Sequence, residues 1–433
     1  MTENIKISTD KKNIILFVGT IPKYVIENIR SYELANDRKF RIALIYDKKD
    51  KELRGKEKEF EETYDIALSC ELDNDDKIAE ALAPYREDLL AITSRQEKTI
   101  PHFRKIIPHV PYLRTPTSKS LDWATQKVLM RRRFRTYDKK ISPDFVLAQD
   151  AKKKTLIKME EKLGFPVIVK PAGLAQSILV GICFHHEELE IFLKKSFTRM
   201  RRIYKETKGR GEPEILVEQF LEGELYSTDA YVSSRGRVIF CPLVSIKTGR
   251  SIGFDDFFGY QQMTPALLNK ESIEEAECTA KKGVHALGLR STTAHIELLK
   301  TEKGWKLVEI GPRIGGFRDQ MYSKSFGINH TINDILIRIP EKISVPKKVL
   351  GHSASLKFFA KKEGILTKMT GIKKVQELES VYDIKIHKKL GEKCAFAKNG
   401  GLSVFNIMLF NEDRSKLLAD IRRLEQTIVI ETK

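Results

Sequence analysis

The sequence predicts a multidomain chain of α/β and α+β class, and three observations carry that prediction. Short apolar strands alternate with helices over roughly residues 10–110, a β-hairpin with opposed carboxylates lies between Ala294 and Ile310, and proline clusters punctuate the chain at Pro108, Pro111 and Pro116 and again at Pro340 and Pro346. With domains of ~150 residues as a rule, a chain of 433 residues should hold about three. The boundaries expected are 1–115 for a small α/β domain, 116–340 for a central domain and 341–433 for an α+β domain.

In the first domain, NIILFVG (Asn13 to Gly19) is an apolar run ending in glycine, the signature of a buried parallel strand. A helix over Ile21 to Tyr32 and a strand FRIALIY (Phe40 to Tyr46) follow. Weaker strands at Tyr64 to Leu68 and Leu89 to Thr93 enclose a helix over Asp76 to Ala83. Strands alternating with helices make a small doubly wound, Rossmann-like sheet. No GxGxxG follows the first strand, which argues against dinucleotide binding by that route.

In the second domain, Ser120 is the expected N-cap of one helix, LDWATQKVLMRRRF, with Leu121, Ala124, Val128 and Arg131 along one stripe. A helix over Ala151 to Leu163 is broken by Gly164-Phe165-Pro166, and the strand VIVK then ends at Lys170. A lysine there either enters a cleft or snorkels to solvent. Lys194 to Arg210 reads as a solvated basic face, and ILVEQF, LYSTDAYV and Arg237 to Leu243 as an antiparallel meander. Thr248 to Gly259 is a loop beside the cleft, Glu271 to Leu287 a helix, and Gly327 to Ile339 a further helix. In the last domain, strands at Ser353 to Phe359 and Ser403 to Phe410 enclose a short helix at Lys373 to Leu378, before a stronger one at Lys416 to Leu424.

Composition bounds the function. Hydrophobic content of 41% and charged content of 31% are those of a soluble globular chain. No apolar run approaches the ~20 residues of a membrane span, and the opening MTENIKISTDKK lacks a signal peptide's apolar core. The five cysteines are scattered, never spaced CxxC, and argue for a reducing cytoplasm and against zinc. The net charge of +18 suits nucleic acid, an acidic substrate or a lysine-rich solvated surface. No zinc-finger spacing, RNP-like motif or basic zipper accompanies it, so nucleic acid is not the partner expected.

The hairpin carries the chemistry. Period-two alternation puts Ala294, Ile296 and Leu298 opposite to His295, Glu297 and Leu299, and Trp305, Leu307 and Glu309 opposite to Lys306, Val308 and Ile310. A three-residue loop ending in a left-handed Gly304 pairs Thr301 with Trp305, Leu299 with Leu307 and Glu297 with Glu309. Ala294, Ile296, Leu298, Val308 and Ile310 then form the buried face. Like charges directly opposite repel unless they are solvated, protonated or bridged by a cation. Two hard carboxylates on a rigid hairpin suit Mg²⁺ together with substrate phosphates, and the glycine-rich turn that follows carries Arg313 and Arg318.

Four pieces in this order, Lys127 with MRRRF, PVIVKPAG, LVEQFLEGELYSTDAYV and AHIEL…LVEIGPRIGG, resemble the ATP-grasp superfamily, and within it the carboxylate–amine ligases of the L-amino-acid ligase type. The resemblance is specific over about residues 120–340. It implies that Lys127 and Lys170 hold ATP phosphates, that Glu218 with the backbone of Phe220 and Leu221 receives adenine, and that Glu224 binds ribose. It further implies that Glu297 and Glu309 bind Mg²⁺ (with Mn²⁺ as a substitute), that Arg313 binds the substrate carboxylate or its phosphate, and that Ser177 lies in a phosphate-covering loop. Two departures stand out: Gly311 replaces the family's metal-site asparagine, and the loop after Lys170 is poor in glycine. The activity implied is ATP-dependent joining of a small carboxylate to an amine, such as an amino acid or short peptide, and a homodimer is compatible with it. The alternatives are an ATP-grasp kinase or carboxylase, and a basic nucleic-acid-binding protein without turnover. Specificity is expected from Thr248 to Pro265 and from the C-terminal domain.

Overall fold

The computed structural model describes residues 12–172, 179–206, 214–339 and 341–433. Near the N-terminus, strands Ile14–Val18, Arg41–Asp47, Ile66–Cys70 and Leu89–Thr93 form a parallel sheet with Ile14–Val18 and Arg41–Asp47 in the middle. All of Ile14 to Val18 is buried, because helices cover both faces of such a sheet.

A second, antiparallel sheet has the strand order Phe145–Ala148, Ile215–Gln219, Val167–Pro171, Gly181–Cys183. Helices Lys153–Leu163 and His186–Glu206 pack on one face of it through Leu156, Met159, Leu189 and Leu193. The third sheet is a nine-stranded antiparallel one. It runs from the hairpin Thr292–Thr301/Gly304–Gly311 through Glu224–Val232, Val244–Thr248 and Gly259–Thr264 to His352–Phe358, Phe405–Asn411 and Val381–Ile386, with Val238–Phe240 beside Glu224–Val232. Strands from beyond residue 340 thus continue the sheet that carries the hairpin.

Three local expectations are corrected. Thr117, not Ser120, is the N-cap: its side chain accepts from the Ser120 N–H, and the helix Ser118–Thr125 stops at an extended Gln126 before a new helix, Lys127–Tyr137. The stripe Leu121, Ala124, Val128, Arg131 is buried on both sides of the break, so periodicity alone carried no sign of it. The helix expected over 327–339 is confined to His330–Leu336, since a left-handed Gly327 ends a preceding helix, Arg318–Phe326, that the sequence had not announced.

The hairpin holds the third. Thr301 pairs with Gly304, Lys300 with Trp305 and Leu298 with Leu307, and a bulge between Glu297 and Leu298 then restores the pairing of Glu297 with Glu309. Gly304 has the expected positive φ of 86°. The bulge inserts an extra residue and breaks the parity of the strand. Trp305 and Leu307 therefore turn into the core beside Ile296 and Leu298, while Val308 leaves it.

Candidate functional site

A cavity of about 510 Å³ opens between the second sheet and the hairpin. Its walls bring together Lys127 at the first turn of its helix, Lys170 and Glu218 from adjacent strands, the connection Phe220-Leu221, and the hairpin carboxylates Glu297 and Glu309. Ile168, Leu225, Leu299 and Phe257 give it apolar surface.

Glu218 is the electrostatic centre of one wall. It is 1% exposed and accepts from Arg131 Nε at 2.5 Å and from Lys170 Nζ at 2.6 Å. Burial alone would raise its pKa, but the charges of Arg131 and Lys170 hold it down at about 2. Arg131 also donates to the Val308 carbonyl at 2.7 Å, tying this wall to the bulge of the hairpin. At the other wall, Lys127 Nζ lies 3.3 Å from Glu309 Oε1.

Behind Glu297 lies a buried polar cluster. Asp229 accepts from His295 Nδ1 at 2.6 Å, from His330 Nε2 at 2.7 Å and from the Gly315 N–H at 2.8 Å. His295 Nε2 faces Glu297 Oε1 at 3.6 Å. Burial would raise the Glu297 pKa, yet His295, Arg313 and Arg318 lower it, so the group stands as a carboxylate. Gly315 must be glycine here, because a Cβ would sit 2.3 Å from His295 Nδ1.

The residues present fit ATP and Mg²⁺. Glu297 and Glu309 are cross-strand partners, each about a third exposed toward the cavity, and their repulsion favours a cation between them. Among the described residues no group of three or more His, Cys, Asp or Glu side chains is placed to hold a metal alone. A metal at this pair would take further oxygens from a substrate, which is the habit of Mg²⁺.

Residues 163–320 match the family profile of the ATP-grasp domain. Over that stretch the chain is similar to ATP-grasp domains. Alanine–anticapsin ligase of Bacillus subtilis (strain 168) is 28% identical over 167 residues, 36% of this chain and 35% of that protein. The curated relatives it matches are thus covered over less than half of their length. The structure of L-amino acid ligase from Bacillus licheniformis superposes with a TM-score of 0.78 at 17% identity, covering 98% of this chain and 100% of that one. N5-carboxyaminoimidazole synthetase from Staphylococcus aureus, complexed with ADP, gives 0.66 at 12% identity, covering 96% and 98%. The architecture is the ATP-grasp fold, with a parallel sheet near the N-terminus and antiparallel sheets elsewhere.

Seven of the expected residues, Lys127, Lys170, Glu218, Phe220, Leu221, Glu297 and Glu309, surround one cavity. Ser177 lies outside the described residues. Glu224, expected at the ribose, does not line the cavity. Strand alternation gives that face to Leu225, and Glu224 accepts from the Tyr226 hydroxyl at 2.8 Å instead. Arg313 is not a cavity wall either: its Nε donates to Glu97 at 2.6 Å and an Nη to the Ile314 carbonyl at 3.0 Å. Lys170, weighed as a snorkelling lysine, is instead mostly buried in its pair with Glu218.

Sequence reasoning missed the roles of Arg131, Asp229 and His330. Arg131 falls in register with the apolar stripe Leu121, Ala124 and Val128, and that placement is the available signal. The partners of Asp229 come from positions 66 and 101 residues away, so no spacing announces them.

Proposed function

We propose that this chain is an ATP-dependent carboxylate–amine ligase that forms an amide or peptide bond and releases ADP and phosphate. The observation that carries the proposal is the Glu297–Glu309 pair at the wall of a lysine-lined cavity. The likeness to alanine–anticapsin ligase supports this class of substrate.

The chemistry sets the requirements. A carboxylate acylates poorly because its charge repels nucleophiles and oxide does not leave. ATP bound with Mg²⁺ supplies a phosphoryl group and charge neutralisation. Once phosphorylated, the substrate carboxyl has phosphate as its leaving group, and an amine displaces it to give the amide. The apolar walls and the Phe220-Leu221 backbone would receive the base, and Lys127 and Lys170 would supply the cations that the phosphates need, a reading supported by their place in the cavity wall. Glu297 and Glu309 would hold the metal. The Arg131–Glu218–Lys170 network fixes the Lys170 ammonium before substrate arrives. Arg313 serves the substrate carboxylate once its contact with Glu97 is exchanged.

The test is an ADP-release screen over amino acids, short peptides and other carboxylates, each with and without an amine. ADP release that requires both a carboxylate and an amine, with an amide seen by mass spectrometry, is the expected result. Release that needs bicarbonate, or that yields a stable phosphorylated product, overturns it in favour of a carboxylase or a kinase. Salt-sensitive nucleic-acid binding without ADP release overturns it altogether.

A further inference from the structure

Two cations outside the nucleotide cavity have no carboxylate partner. Arg318, at the start of the helix Arg318–Phe326, is 1% exposed. It donates to neutral oxygens: Gln262 Oε1 at 2.8 Å, Ser227 Oγ at 2.6 Å and the Gly316 carbonyl at 3.2 Å. Its Nε is buried without a partner. Lys357, on the neighbouring strand His352–Phe358, is half-buried with its ammonium 5.5 Å from the centre of the Phe317 ring. Among the described residues neither makes an ion pair. Burying a guanidinium without a carboxylate is costly, and pairing by a ligand would offset that cost.

The local geometry leaves this charge approachable. Gly316 is exposed and Phe317 half-buried, and Phe317 is held at φ 63°, a left-handed conformation unusual for an aromatic residue. Such strain persists where the surroundings impose it. Gln262, which accepts from Arg318, lies on the strand Gly259–Thr264 that pairs with the strand of Lys357.

We infer that the surface beside Phe317, at Lys357, receives a substrate carboxylate that is not the one activated, with Lys357 as its direct partner and Arg318 as a fixed charge beneath. This rests on the ligase proposed above. The group is either the second carboxylate of the acyl donor or the carboxylate of an attacking amino acid. Lys357 is then a specificity residue lying outside the matched span 163–320.

Calorimetric titration of the full chain without nucleotide tests this, with glutarate against butyrate and L-alanine against L-alaninamide. Binding of the first member of either pair is expected to weaken at least tenfold in Lys357→Met and to recover in Lys357→Arg. Discrimination within the glutarate pair assigns the acyl donor, and within the alanine pair the amine. Absence of binding by glutarate and L-alanine, or binding unchanged in Lys357→Met, overturns the inference. Lys357-dependent binding in a chain that releases no ADP with any carboxylate upholds the subsite and overturns the ligase.

Discussion

At the scale of single residues, removing a charge and removing a packing group are separable. Glu309 is partly exposed on the cavity side of the hairpin, with the core on the other face. Glu309→Gln is expected to abolish Mg²⁺-dependent ADP release while shifting the melting temperature little, which paired turnover and melting assays would show. Near-normal release would remove Glu309 from the metal. Lys170 behaves differently. An isolated strand-end lysine contributes little stability, but this one leaves the buried Glu218 short of a cation when cut back. Lys170→Ala should cost about 1–3 kcal/mol of stability in addition to weakening ATP binding. Arg313 and Glu97 separate by turnover: both Arg313→Lys and Glu97→Gln break their contact, and only the first should lower ligase turnover tenfold or more. Equal losses in the two variants would make Arg313 structural.

At the scale of elements, Glu218 titrates for a whole strand pair. Its folded pKa of about 2 lies below its ordinary value of 4.5. A depressed carboxylate contributes stability that is present above the ordinary value and lost as pH falls toward the folded one. Acid unfolding between pH 4.5 and about 2 should therefore contain a component that Glu218→Gln lacks, seen by circular dichroism along a pH titration. The helix Lys270–Ala286 packs so closely on the hairpin that a Cβ at Gly283 would fall 2.4 Å from Leu307 Cδ1 and 2.7 Å from Ile310 Cδ1. Alanine in a helix normally gains about 1 kcal/mol over glycine. Here overpacking should reverse the sign, costing about 1–3 kcal/mol. A higher melting temperature for Gly283→Ala would contradict this packing.

At the scale of the whole molecule, buried polar groups join the parallel sheet to the large antiparallel one. Asp334 accepts from the Thr93 hydroxyl at 2.8 Å and the Thr293 hydroxyl at 2.5 Å, and pairs with Arg338 at 3.1 Å. Arg338 in turn donates to the Ile92 carbonyl at 3.0 Å. Arg95 and Asp319 make a second buried ion pair across the same junction. Asp334→Ala leaves Arg338 buried and uncompensated, so a loss of about 3–5 kcal/mol is expected in urea unfolding. A change under 1 kcal/mol would mean that the junction is held by its apolar contacts alone.

The sequence by itself determined many of the strands and helices, the opposition of Glu297 to Glu309, and the order of Lys127, Lys170, Glu218 and the two carboxylates along the chain. Periodicity, glycine placement and turn residues are local properties, and the hairpin that carries the two carboxylates is a local structure. Only the tertiary structure decided the rest. The bulge that turns Leu307 into the core is set by packing against the helix Lys270–Ala286. Arg313 meets Glu97 across 216 residues, and Lys170 meets Glu218 across 48. Glu224 was a reasonable choice until the pairing of Leu225 with Leu299 fixed which face of its strand meets the cavity. A buried charge takes its partner from whatever the fold brings within reach, and spacing along the chain does not encode that distance.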